Sequence, residues 1–522
     1  MMYRNSAVFR PPLALLKVVQ QALFLAVFSV LVPQAFGSTD LLHTSQTTSS
    51  SSPTGEVVTV QAASTEQFID SIGVVTHLNY PSYKVGHLEE LESLLVASGI
   101  RHIRDGDFWP LPTFRALASQ GIRVTWLADP ALGVVPNRSY WCNPNGGPRN
   151  CYLLADFLKT VVGPNVFEAI ESVNEPDNFF SHYKWHASNP TPLSGNKTEP
   201  SYWKNYALAL TKDTCSVLHD DPSLAYLKCI GPALGGTPDR FPPGALYGVV
   251  DYGNMHPYPR AGNGATPATP YGDIGRYFQW GNNPAVNIDE YPYVFNTYRP
   301  AYTGPDGQAT RIVATETGYC TGTAKMSVSL TTHAKYMPRL FAEYFRHGIV
   351  RTFSYEFYDE WDHPASCEAN FGLINHDLTP KPAYTAVSSL IKLLQDNSGE
   401  FHPGTLSYSV LASPAGTYNR LQYVHDLLLE KSNGDFYLLL WHEVSNAATS
   451  NGTPFSSTAV DIEPPPPSLP VVITLPSNIS RATVYTYSGN WTLKSSSIVI
   501  KDHKIAVSAS DAIKVIVLQG GL

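Results

Sequence analysis

From about residue 56 the chain alternates short apolar runs with longer stretches whose apolar residues recur every three or four positions. The first pattern predicts buried strands and the second amphipathic helices. Eight strands are predicted, over Ser71–Leu78, Ile100–Arg104, Gly121–Leu127, Phe167–Val173, Leu227–Leu234, Gly248–Met255, Arg311–Thr315 and Val350–Tyr355. Helices are predicted over Leu88–Ala97, Pro112–Ser119, Tyr202–Leu218, Thr332–Arg346 and Pro382–Gln395. Such βα repetition predicts an α/β protein with a (β/α)8 TIM barrel. An open doubly wound sheet is the alternative, but no G-x-G-x-x-G turn follows an early strand.

Beyond residue 400 the pattern shortens. Tyr408–Leu411, Arg420–Leu429, Asp435–His442, Val471–Leu475, Thr483–Tyr487, Ile498–Ile500 and Ala512–Leu518 read as strands separated by Gly, Pro, Asn and Ser. This spacing predicts an accessory C-terminal antiparallel β-sandwich domain, with Pro464–Pro467 as a loop within it. The expected organisation is a barrel over 56–398 and a sandwich over 399–522. Glu56–Val60 also alternates well enough to pair with the sandwich.

Upstream, Arg4, Arg10 and Lys17 precede an apolar run near Val18–Val32, and Ala35-Phe36-Gly37 offers a small-x-small cleavage site. Residues 1–37 therefore read as a secretory signal peptide, with an uncleaved anchor as the alternative. Residues 38–55, rich in Ser and Thr, read as a disordered linker.

Composition narrows the class. The 522 residues are 43% hydrophobic and 15% charged, which describes a well-buried globular chain. The formal charge is −8, and loss of residues 1–37 removes three basic residues and no acids. Such an acidic protein is not expected to bind nucleic acid, nor a membrane once the signal is cleaved. A monomer is expected, with no cofactor and no metal. Six cysteines (Cys142, Cys151, Cys215, Cys229, Cys320 and Cys367) fit an oxidising compartment, and pairing of sequence neighbours is the simplest of fifteen connectivities. Sequons at Asn137, Asn196, Asn451, Asn478 and Asn490 agree with a secreted glycoprotein.

The candidate chemistry lies at strand ends. Asn174-Glu175-Pro176 closes the fourth predicted strand, and Thr315-Glu316-Thr317-Gly318 closes the seventh. Two carboxylates so placed can hydrolyse a glycosidic bond, one giving a proton to the leaving oxygen while the other attacks the anomeric carbon or activates water. Asn174 supplies an amide for a sugar hydroxyl. A nucleophile must stay ionised, and Arg104 and Tyr258 are the candidates for holding it so.

These residues resemble the clan-A glycoside hydrolases, retaining (β/α)8 enzymes with catalytic glutamates after strands four and seven. The resemblance runs from about Ile72 to Leu394 and rests on Arg104, Asn174-Glu175-Pro176, Met255-His256-Pro257-Tyr258 and Thr315-Glu316. It implies that Glu175 is the acid/base and Glu316 the nucleophile. His77-Leu78-Asn79 and Arg104-Asp105-Gly106 also look like the barrel-mouth segments of family-39-like members. Families 5 and 79 share the general pattern, and no single family is matched closely enough to name a substrate.

One departure stands out. Where many members carry a platform Trp at the end of strand eight, this chain has Tyr355-Glu356, with Trp361 further on. Glu356 is a candidate for gripping a sugar hydroxyl and Trp361 for stacking on a ring; the alternative is a solvated acidic loop or an incidental cation site with Asp359, Glu360 and Asp362. Phe108 and Trp109 are further stacking candidates, whereas Trp126 reads as barrel packing. The expected function is a secreted retaining glycosidase acting on oligo- or polysaccharide, with cell-wall or other extracellular glycans as the expected source. A carbohydrate-binding or wall protein that kept the barrel without turnover is the alternative. A G-x-S-x-G elbow and an H-E-x-x-H zinc motif are both missing from the sequence.

Overall fold

The computed structural model describes residues 54–78, 80, 87–106, 110–130, 133–140, 142, 151–179, 201–235, 241–258, 299–324, 327–396, 398–444, 446–449, 459–461 and 463–520. The signal segment, most of the linker, Asn79, Phe108, Trp109, Asn196 and Asn451 lie outside them.

Eight parallel strands form the barrel: Ile72–Val75, His102–Asp105, Arg123–Leu127, Phe167–Glu171, Lys228–Ile230, Gly253–Met255, Ile312–Thr317 and Thr352–Ser354. Seven adjacent pairs hydrogen-bond in sequence order, with the eighth strand pairing the first. The remaining gap, between the fifth and sixth strands, is bridged where Ile230 meets Tyr252 and Gly231 N–H donates to the Tyr252 carbonyl at 2.9 Å. The strands are shorter than the apolar runs that predict them. In the sixth, residues 248–251 turn before the bridge at Tyr252 and the strand at Gly253. Gly73 in the first strand has a packing reason, because a Cβ there would lie 2.5 Å from the Phe353 ring.

The interior of the barrel is partly polar. His102 and Arg104 share a face of the second strand, because side chains two residues apart point the same way. His102 Nδ1 lies 2.9 Å from Glu168 and its Nε2 2.8 Å from Asp70, and Arg351 reaches both acids. Arg104, two residues nearer the C-terminal end of the strand, enters the mouth where TIM-barrel sites assemble.

Helices Leu88–Ser98, Leu111–Ser119, Ser201–His219, Leu330–Arg346 and Pro382–Leu394 cover the barrel. Trp126 is buried against Phe157 and Phe167, which is a packing role.

Two further sheets stack as the accessory sandwich. The four-stranded one joins Val58–Gln61, Thr405–Ala412, Leu469–Thr474 and Lys504–Ala509. Its first strand precedes the barrel in sequence, and Val58–Gln61 pairs antiparallel with Thr405–Tyr408. The six-stranded one joins Ala63–Ser64, Val424–Glu430, Phe436–His442, Lys514–Gly520, Ile479–Tyr487 and Leu493–Ile498. Its central strands are buried on both faces. Leu428, Leu438, Leu440 and Ile516 pack into the sandwich, whereas Leu427, Leu439, Trp441 and Val515 join the core shared with the barrel helices. Double burial explains why these strands read as continuous apolar runs rather than alternating ones.

Disulfides join Cys142 to Cys151, Cys215 to Cys229, and Cys320 to Cys367. Among the described residues no helix is long and apolar enough to cross a membrane.

Candidate active site

The fourth and seventh strands bring Glu175 and Glu316 to one end of the barrel. One carboxylate oxygen of Glu175 and one of Glu316 lie within 4.8 Å of each other and of a His256 ring nitrogen. His256 Nδ1 sits between them, 2.8 Å from Glu175 Oε1 and 3.6 Å from Glu316 Oε2. Glu175 has φ +38°, in the left-handed region that a non-glycine residue seldom occupies. Such a conformation persists only when the surroundings hold it, and it clusters at functional sites.

Glu316 is fixed from two sides. Arg104 Nη1 donates to Oε1 at 2.5 Å and the Tyr258 hydroxyl donates to Oε2 at 2.7 Å. Burial by itself would raise the Glu316 pKa, but His256, Arg104 and the Tyr258 hydrogen bond outweigh it and hold the carboxyl below the ordinary value. Burial, then the adjacent Glu316 charge, push Tyr258 well above its usual value, so it stays a donor. His256 moves up despite burial, because Glu316 and Glu175 favour its charged form.

Arg104 is itself gripped. Glu171 accepts from its Nε at 2.6 Å and its Nη2 at 3.0 Å, and Asn174 Oδ1 accepts from Nη2 at 2.8 Å. The fully buried Glu171 also accepts from Asn254 Nδ2 at 3.1 Å. This fork holds the guanidinium in one orientation, which a lysine could not reproduce.

Thr315 and Glu316 are neighbours, yet both contact residues of the mouth. A regular strand would send them to opposite faces. The register shifts between Ala314 and Thr317, and that irregularity re-aims one of the pair.

A second group lies beside the first. His77 Nδ1 is 2.6 Å from Glu360 Oε1 and 3.2 Å from Glu356 Oε2. His77 stacks on Tyr80 and meets the edge of Tyr355, which in turn packs against Tyr258. Burial opposes a charge on His77, but its bonds to Glu356 and Glu360 raise its pKa well above normal. Burial raises Glu356, whose two oxygens are sealed from solvent without a hydrogen bond of ordinary geometry. Asp105 holds the segment carrying His77, accepting from Thr76 Oγ1 at 2.8 Å and Leu78 N at 3.0 Å.

The acidic run after strand eight is split. Glu360 faces His77, Asp359 pairs with Lys381 at 2.7 Å, and Asp362 is exposed. Trp361 is half exposed, and its backbone carbonyl accepts from His363 N. His77–Glu356–Glu360 and Glu175–His256–Glu316 carry metal-ligand side chains. In each, however, an imidazole nitrogen is in hydrogen-bond contact with a carboxylate, which accounts for the spacing by proton sharing.

Glu171 and Asn254 belong to the site geometry without being candidates in the sequence, whereas Thr315 enters as part of the Thr315-Glu316 motif and Glu360 as a member of the acidic run. Glu171 had a signal, since an acid inside the apolar run Phe167–Val173 must find a buried partner. Asn254 had none, because small polar residues in strands are common.

No protein-family model matches the sequence. No curated protein matches it either. Solved structures do resemble the fold. A family 39 glycoside hydrolase from the gut symbiont Bacteroides cellulosilyticus WH2 superposes with a TM-score of 0.51 at 16% identity, covering 88% of this chain and 82% of its own. A glucosidase from Croceicoccus marinus gives 0.50 at 10% identity, covering 91% and 99%. At this identity the likeness is one of architecture alone: a TIM barrel carrying an accessory β sandwich.

Proposed function

We propose that this chain is a secreted glycoside hydrolase that cleaves O-glycosidic bonds by a retaining double displacement. The observation that carries the reading is the Glu175–Glu316 pair, one carboxylate oxygen of each within 4.8 Å of the other with His256 bridging. Retaining enzymes need carboxyl groups about 5–5.5 Å apart, whereas inverting enzymes need about 6.5–9.5 Å to admit water. Glu316, ionised between Arg104 and Tyr258, is the nucleophile. Glu175 protonates the leaving oxygen and then activates water, as the loss of charge on glycosylated Glu316 makes Glu175 a base.

The remaining candidates receive binding roles. Asn174 presents its amide to a sugar hydroxyl, and the part-exposed His77 borders the mouth, with the sealed Glu356 acting on a sugar only through His77. Trp361 is the outer stacking surface, and Asn79 continues the His77 segment. An oligo- or polysaccharide from a cell wall or another extracellular glycan is the proposed substrate, taken by a monomer. We read residues 1–37 as a cleaved signal, 38–55 as a linker, and 56–398 and 399–522 as the catalytic and accessory domains. The three disulfides and the exposed sequons at Asn478 and Asn490 are consistent with that route.

The test is stereochemical. The purified protein is screened on aryl glycosides and wall polysaccharides, and the anomer first released is read by proton NMR. Retention is expected. Glu316→Ala should lose on the order of 10⁵-fold or more, the scale on which removing a nucleophile acts. Azide should restore turnover as a glycosyl azide of inverted configuration. Inverted product from the wild type, or undiminished turnover in Glu316→Ala, would overturn the assignment.

A further inference from the structure

Asn254 and Thr315 surround the side of His256 that faces away from Glu175. The Asn254 amide has one orientation that satisfies its neighbours. Its Nδ2 faces two acceptors, Glu171 Oε1 at 3.1 Å and the Gly231 carbonyl at 3.0 Å. Its Oδ1 accepts from Met255 N at 2.8 Å and Thr315 N at 3.3 Å. Thr315 Oγ1 then lies 2.9 Å from Asn254 Oδ1 and 3.3 Å from Glu171 Oε1, both acceptors. A hydroxyl has one proton, and it must go to one of those two. Toward His256 Nε2, at 2.8 Å, Thr315 can therefore only accept.

We infer that Asn254 and Thr315 lock His256 with Nε2 protonated, so that a proton is held between His256 Nδ1 and Glu175 Oε1 at neutral pH. With Nε2–H fixed, a neutral imidazole turns the Nδ1 lone pair toward a carboxylate oxygen 2.8 Å away. Two acceptors at that distance repel unless a proton lies between them. The groups facing His256 are Glu175 after strand four, Thr315 and Glu316 on strand seven, and Arg104 on strand two. Burial and Arg104 oppose a charge on His256, but the two acids outweigh them and favour the proton staying, so His256 is raised.

This deepens the glycosidase reading and rests on it for its catalytic consequence. His256 is the store, and Thr315 and Asn254 are positioning residues. The Nδ1–H bond breaks as Glu175 Oε–H forms, and that bond breaks as the leaving oxygen takes the proton. The imidazole is left neutral with Nε2–H intact. In the second half, the attacking water returns a proton to Glu175 and so to Nδ1.

Two readouts test it. In Thr315→Val the buried Nε2–H loses its acceptor, and neutral His256 shifts to the Nδ1–H form, which cannot give up its proton readily. The basic limb of kcat/KM should move down by about one pH unit or more, a shift on the scale of ordinary environmental perturbations. Thr315→Ser, which keeps the hydroxyl, should behave as wild type. Independently of activity, ¹⁵N shifts of His256, assigned by their loss in His256→Asn, should report Nε2–H in the neutral wild-type ring. A neutral Nδ1–H ring in the wild type, or an unmoved basic limb in Thr315→Val, overturns the inference. If the wild type cleaves no glycoside, the proposed function fails while the ¹⁵N result still decides the tautomer. If Thr315→Val does not fold, the ¹⁵N shifts of the wild-type ring decide the inference.

Discussion

Two buried arginines, each clamped by a glutamate, mark the two critical regions of this molecule. At the barrel mouth, Arg104 joins Glu171, Asn174 and Glu316. Where the sandwich meets helix Leu330–Arg346, Arg339 donates to Glu443 at 2.8 and 3.1 Å, to Asn446 at 3.1 Å, and to the Val444 and Asp511 carbonyls. Trp441 Nε1 donates to Glu443 as well, at 2.7 Å. Beside it the buried Glu343 bonds His425, and Lys335 reaches Asp511 at 2.8 Å. Arg339 stands on the barrel helix, and its hydrogen-bond partners Glu443, Val444, Asn446 and Asp511 come from the sandwich side.

The difference lies in what is left over. The interface arginine has its donors met by fixed partners and is wholly buried with Glu443. At the mouth, Glu175 and Glu316 keep 14% and 11% side-chain exposure, and Glu175 sits in an unfavourable backbone region. A buried arginine whose donors are all met by fixed partners holds elements in register. A network with charge to spare and an opening is arranged for something that is not yet there.

Substitutions sharpen that contrast. The largest expected effect is at the mouth. Glu175→Ala should cost roughly 10²–10⁴-fold on glycosides with poor leaving groups and little on activated aryl glycosides, since only the former need the proton. Its thermal midpoint should stay level, because the variant removes a part-exposed acid rather than a buried clamp. A marked drop in midpoint would erase the contrast.

Arg339→Ala should do the reverse. Leaving Glu443 buried without its partner should cost about 3–5 kcal/mol of stability. Chemical denaturation and a calorimetric midpoint read this directly, while kcat per folded molecule should hold near wild type. If Arg339→Ala left stability untouched, the interface network would not be the structural one.

The smallest effect concerns acid. Burial would raise Glu343, but His425, His347 and Arg346 pull its pKa well below the ordinary glutamate value. A folded pKa below the unfolded one gives stability that is complete above the unfolded value, near pH 4.5, and is lost as pH falls through the folded one. The contribution of Glu343 should therefore survive mild acid and fade only in strong acid. Comparing wild type with Glu343→Gln across pH isolates it. A difference that vanishes already near neutrality would contradict this sign.

Much of the fold was legible because each strand declares itself locally. The apolar runs around Ile72–Val75, Phe167–Glu171 and Ile312–Thr317 needed no distant partner to be recognised. Strand ends were less legible: residues 248–251 looked like strand, but their turn follows from how the fifth and sixth strands meet. In the sandwich, Leu493–Ile498 hid because its residues are mostly exposed Lys and Ser, lacking an apolar signature.

The sequence by itself determined which residue types stand at the strand ends, and with them Glu175, Glu316, Arg104, His256 and Tyr258 as candidates. It could do so because strand periodicity and motif order are properties of a few adjacent residues. Only the tertiary structure decided which groups touch. Arg104 and Glu316 lie 212 positions apart, as do Glu360 and His77 across 283, and closing a barrel is what brings them into contact. The same closure made Glu171, Asn254 and Thr315 part of the site. A buried carboxylate, amide or hydroxyl acquires its role from the donors and acceptors that face it, and those come from other strands.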